Sequence, residues 1–117
     1  MSEHTKALAS EYSPDSWVVL KIKPGKGMFP IYKVLAGWSG SYTHGSSWRL
    51  NSGITLVFDR EDEIHFHGES GSLYRCGKGA YGLRMSTAGI HKDLYLQQEF
   101  KGQIQIMEED TDWSNIL

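Results

Sequence analysis

The chain has 117 residues, a formal net charge of −2, a single cysteine and 13 glycines. A single domain of modest core is expected at this length. The near-neutral charge argues against binding of long nucleic acid, whose protein partners are usually strongly basic. One cysteine rules out an intramolecular disulfide and a cysteine-rich zinc site, and fits a reducing cytoplasm. No apolar run approaches the ~20 residues of a membrane span, and the N-terminus lacks the apolar segment of a secretory signal. A soluble cytoplasmic protein that calls for no cofactor is the expectation, with glycine-rich punctuation and many aromatics pointing to a turn-rich β domain.

In chain order, residues 1–15 read as a polar N-terminal arm, with a short helical turn at 6–12 ended by Pro14. Residues 16–107 read as one β-rich domain. The run 16–23 (SWVVLKIK) is a strand with Val18, Leu20 and Ile22 on one face and Val19, Lys21 and Lys23 on the other. A PGKGM turn precedes a second strand over 29–38, in which Ile31, Lys33 and Leu35 alternate with Tyr32, Val34 and Ala36, so both faces can be covered. Further strands are expected at 47–51, 54–59, 63–67 and 72–76. In 63–67 (EIHFH), Ile64 and Phe66 face one way and Glu63, His65 and His67 the other. The spacing of Ile90 and Leu94 permits a helix of about three turns over 87–100, stopped by Gly102. A last strand follows at 103–107, and 108–117 is an acidic C-terminal tail whose Trp113, Ile116 and Leu117 can dock on the body or on a partner. The fold class is therefore mainly β (β-rich α+β): a small antiparallel sheet or barrel of five to seven strands with at most one helix. Edge strands in so small a sheet invite pairing, so a homo-oligomer is expected.

The stretch 37–53 (GWSGSYTHGSSWRLNSG) carries the strongest functional signal. Aromatics beside glycines and hydroxyls supply flat contact area, close backbone approach and orienting polar groups. Trp38, Tyr42 or Trp48 can stack on a ring, Arg49 can fork onto a phosphate or carboxylate, and Asn51 and Ser52 can read polar edges. Equally, Trp38 and Trp48 can be core residues at strand ends with Arg49 on the surface. Arg75, Lys78 and Arg84 surround the glycines of 77–82, which make either an anion-binding concavity or an ordinary turn; the pattern is neither a Walker A loop nor a dinucleotide fingerprint. His65 and His67 share a strand face and can be two metal ligands or simply outward polar positions. Cys76 ends an apolar strand, where a thiol is buried and inert more often than nucleophilic.

The order of Tyr32–Leu35, Trp38-Ser-Gly-Ser-Tyr42, Ser47-Trp-Arg-Leu-Asn-Ser-Gly53 and His67-Gly-x-Ser-Gly-Ser-x-Tyr-x-Cys76 resembles a group of small uncharacterised bacteriophage and prophage proteins. The resemblance spans about residues 31–82 and implies a phage or mobile-element origin, action in the host cytoplasm and, by analogy, evasion of host defences by binding. Three functions follow as expectations. The first is a non-enzymatic binding protein that recognises or sequesters a small anionic ligand such as a nucleotide. The second is a protein–protein interaction module that inhibits a host factor. The third is a small metal-dependent enzyme built on His65 and His67.

Overall fold

The computed structural model describes residues 10–23, 27, 29–38, 47–82 and 104–117. Among the described residues, the apolar and β-branched runs together with the short Glu11–Tyr12 segment make eight strands: β1 (Glu11–Tyr12), β2 (Ser16–Ile22), β3 (Ile31–Trp38), β4 (Ser47–Leu50), β5 (Ile54–Asp59), β6 (Glu63–Gly68), β7 (Leu73–Gly77) and β8 (Ile104–Ile106). They form two four-stranded sheets, ordered β1-β7-β6-β5 and β4-β3-β2-β8. The protein is β-rich, as the alternation implies, and among the described residues the two sheets do not close into a barrel. Among the described residues the only helical pieces are two three-residue 3-10 turns, Lys78–Ala80 and Trp113–Asn115. The expected helix over 87–100 lies outside the described residues. No helix among the described residues is long and apolar enough to cross a membrane.

Hydropathy explains the division into two sheets. Strands β2 and β3 carry apolar residues on both faces, which only a strand covered on both sides tolerates. They pair antiparallel over seven positions, from Ser16↔Gly37 to Ile22↔Ile31, at the centre of the second sheet. Strands β5, β6 and β7 form an antiparallel meander, and β6 alternates strictly. Ile64 and Phe66 are buried, whereas Glu63, His65 and His67 are only partly covered.

The inner faces of the two sheets meet in one core. Trp17, Val19, Val34 and Ala36 come from the second sheet, and Ile54, Ile64, Phe66, Tyr74 and Cys76 from the first. On the opposite face of the second sheet, Val18, Leu20, Ile22, Leu35 and Ile104 form a second cluster. The face assignments for 18–22 and 63–67 thus hold in three dimensions.

Both ends of the chain add to the body. Residues 6–9 of the expected helical turn lie outside the described residues, and at its end Glu11 and Tyr12 are strand instead, pairing in parallel with Leu73 and Tyr74 of β7. Parallel pairing joins residues about sixty positions apart, and no local pattern announces it. At the other end, the acidic stretch turns Trp113 inward to 4% exposure. Its ring lies 5.7 Å from Trp17, 5.7 Å from Tyr81 and 5.9 Å from Phe66, centroid to centroid. Removing a buried aromatic of this size costs about 3–5 kcal/mol. Trp113→Ala should therefore lower the unfolding free energy by that amount in a urea titration; a loss below about 1 kcal/mol would mean that the C-terminal stretch only rests on the surface.

Candidate ligand-binding site

The β3–β4 register decides which side chains of the Gly/Ser/Trp stretch can cooperate. Trp38 stands opposite Ser47, and Trp48 stands opposite Gly37. Directly opposed residues share a face and successive residues alternate. Trp38 and Trp48 therefore project from opposite faces of the sheet and do not line one surface. Arg49 is opposite Ala36, which puts Trp38 and Arg49 on the same, inner side of the hairpin. Tyr42 lies outside the described residues.

Strand β1 brings Tyr12 to this side. The guanidinium of Arg49 sits 4.5 Å from the centre of the Tyr12 ring. Tyr12 meets Trp38 edge-on at 6.2 Å and Tyr74 at 4.9 Å. The indole N–H of Trp38 donates to the Ser13 carbonyl at 3.0 Å, which fixes its ring plane. Arg49 is exposed, and none of the ion pairs among the described residues involves it. Its charge reaches Tyr74, whose phenol is nonetheless pushed up to about 12 by burial. The result is a corner of aromatic rings with a cation, without an ion-pair partner among the described residues, over the Tyr12 ring. A cation so placed is pre-organised toward an anion, because stacking restricts its rotamers before the ligand arrives.

The other expected site residues are engaged elsewhere. Asn51 is buried at 3% exposure. Its Oδ1 accepts from the Val34 N–H at 2.9 Å, and its own N–H donates to the Val34 carbonyl at 2.9 Å. The side chain thus extends the β3–β4 ladder by one step, while its Nδ2 has no hydrogen-bond partner. Ser52 accepts from the Ser70 N–H at 3.0 Å and is 3.2 Å from the Ser70 hydroxyl, tying the turn after β4 to the β6–β7 turn. Arg75 donates from Nε to Glu63 Oε1 at 2.8 Å and lies 3.7 Å from Glu11. Lys78 pairs with Asp59 at 2.7 Å. Both are cations whose charge a carboxylate already offsets.

His65 and His67 share the outer face of the first sheet. His65 is 2.6 Å from Glu63 Oε1, and His67 packs edge-on against Phe58 at 5.6 Å. Among the described residues, no group of three or more His, Cys, Asp or Glu could hold a metal ion. Cys76 is fully buried, and burial, with Glu63's charge adding, pushes its thiol well above the ordinary value. A thiol held protonated is a poor nucleophile. Of the residues at the aromatic corner, reading the sequence missed Tyr12. The only local signal was an aromatic two residues before Pro14, which does not reveal a partner across the fold.

Two outcomes test these assignments. Asn51→Ala should cost about 1–3 kcal/mol by leaving the buried Val34 N–H without its acceptor, read by denaturant unfolding; unchanged stability would return Asn51 to the pool of ligand-binding residues. The Glu63 carboxyl is held below its usual 4.5 by the hydrogen bond from Arg75 first and by His65 second. A depressed folded-state value means the stabilisation is complete above pH 4.5 and is lost as pH falls below it. Glu63→Gln should therefore show a shallower acid decline of Tm in that window than the wild type, and superimposable profiles would show that the pairing adds nothing.

Comparison of the chain with protein-family models, with curated proteins and with solved structures finds no match.

Proposed function

We propose that this is a non-enzymatic binding protein that takes a small anionic ligand of the nucleotide class at the corner of Tyr12, Trp38 and Arg49. One observation carries the reading: of the three cations Arg49, Arg75 and Lys78, Arg49 alone has no carboxylate partner among the described residues, and it lies over an aromatic ring. A guanidinium forks onto phosphate oxygens with two parallel N–H donors. The neighbouring rings offer stacking surface for a base, an interaction that tolerates any base because each has a π face. Arg75, Lys78, Asn51 and Ser52 drop out of the ligand set on this reading, since each has a structural partner. On the same proposal, a protein of phage or prophage origin would work in the host cytoplasm by sequestering its ligand.

A second reading, a module that inhibits a host protein, draws support from the exposed apolar side chains. Trp48 is 45% exposed on the far face of the β3–β4 hairpin, and Phe29 is 90% exposed. Tryptophan is enriched among residues that dominate protein interfaces. Edge strand β5, with Leu56 49% and Phe58 41% exposed, supports pairing with a second copy.

Calorimetric and thermal-shift titration with linear and cyclic nucleotides tests the first reading. Wild-type protein should bind one class saturably with a rise in Tm. Arg49→Ala should weaken binding about tenfold or more, in line with about 1.5–3 kcal/mol for a charge-assisted hydrogen bond. Arg49→Lys should restore only part, because an ammonium neither forks nor stacks. No shift with any nucleotide would sink this reading in favour of the protein partner.

A further inference from the structure

A concavity elsewhere on the molecule is lined by none of the residues of the aromatic corner. It is a cleft of about 260 Å³ where the C-terminal stretch passes the end of strands β5 to β7. Trp17, Tyr81 and Trp113 form its aromatic floor, with Tyr81 edge-on to Trp17 at 4.6 Å. Its rim carries Asp59, Lys78, Glu109 and Asp110. Lys78 and Asp59 neutralise one another at 2.7 Å. Glu109 and Asp110 are exposed and take part in none of the ion pairs among the described residues. The cleft is therefore negative, in contrast to the corner at Arg49.

We propose that this cleft binds a small organic cation of the alkylammonium class, its charged end between Glu109 and Asp110 and its hydrocarbon against Trp113 and Tyr81. Three properties of the site select that chemistry. Two carboxylates without an ion-pair partner among the described residues raise the local concentration of cations and repel anions. Tyr81, the partly exposed member of the aromatic lining, adds an apolar wall for the hydrocarbon, whereas Trp17 and Trp113 are 1% and 4% exposed beneath it. The volume lies below the ~300–1,000 Å³ of drug-sized pockets, which suits a short amine or a single lysine side chain. The Tyr81 hydroxyl is not a free polar group here: it donates to the Met107 carbonyl and accepts from the Val19 N–H. Burial pushes that phenol up to about 12, and the charge of Glu109 adds to the shift, placing this carboxylate within electrostatic reach of the floor.

The cation can come free or on a lysine of another protein, and one experiment separates these sources. The full-length chain is titrated with tetramethylammonium, 1,4-diaminobutane and a blocked lysine peptide while the indole N–H signals of its tryptophans are followed by NMR. The expected result is saturable movement of the Trp17 and Trp113 signals with those of Trp38 and Trp48 unmoved. Tighter binding of the diamine identifies a free amine, and tighter binding of the peptide identifies a lysine side chain. The double variant E109Q/D110N, altered only at exposed positions, should keep its Tm and its response to nucleotides while its amine affinity falls about tenfold or more. Arg49→Ala should leave amine binding unchanged. No saturable movement with any of the three, or equal affinity in E109Q/D110N, overturns the proposal independently of the nucleotide reading.

Discussion

Trp17 joins the two sheets, and the rest of the structure depends on its doing so. It belongs to β2 in the second sheet, yet its indole N–H donates to the Gly77 carbonyl at the end of β7 in the first at 2.7 Å. Its ring packs on Phe66 at 5.5 Å, Tyr81 at 4.6 Å and Trp113 at 5.7 Å. Its backbone carbonyl accepts from the Gly82 N–H at 2.9 Å, and a parallel bridge links it to Tyr81. One residue thus uses apolar area, an indole donor and backbone groups at once. Two separate four-stranded sheets would each expose an apolar face; the large indole fills the space between them and satisfies its own polar atom there.

The same packing frees some side chains and commits others. Sheet order puts β7 beside both β6 and β1, so Arg75 lies between Glu63 and Glu11 and its charge is offset along a short ladder on the outer face. The β5–β6 turn and the end of β7 bring Asp59 to Lys78 in the same way. Arg49, at the hairpin on the other sheet, meets an aromatic ring instead. Isolated charges are better solvated than buried, so a guanidinium without an ion-pair partner among the described residues stays at the surface with a ring beneath it. Asn51 pays for its place in the fold with an unpartnered Nδ2, because Oδ1 is required by the Val34 N–H.

The overall charge of −2 conceals two opposite local fields. The corner at Arg49 is positive and aromatic; the cleft at Glu109 and Asp110 is negative and aromatic. Net charge describes long-range solubility and encounter, whereas recognition is governed by the few groups within a Debye length of about 8–10 Å.

Strand positions and their faces were legible in the sequence, because a period of two is a local property of the chain. Ile54–Asp59 coincides with β5, and the alternation of Glu63, Ile64, His65, Phe66 and His67 set the inner and outer faces of β6 before any partner was known. The aromatic and glycine density of residues 37–53 likewise marked Trp38 and Arg49, two of the three residues at the corner. Tertiary structure alone decided the rest. Cross-strand register separated Trp38 from Trp48, and parallel pairing with β7 delivered Tyr12. Residues distant in sequence neutralised Arg75 and Lys78, and the core drew in Trp113. The pairing of β1 with β7 and the packing of Trp113 depend on contacts between segments far apart along the chain, and the others on the register that consecutive strands adopt. Side-chain alternation carries no information about which strand will lie beside which, and that neighbour determines whether an arginine is spent on a carboxylate or left to bind.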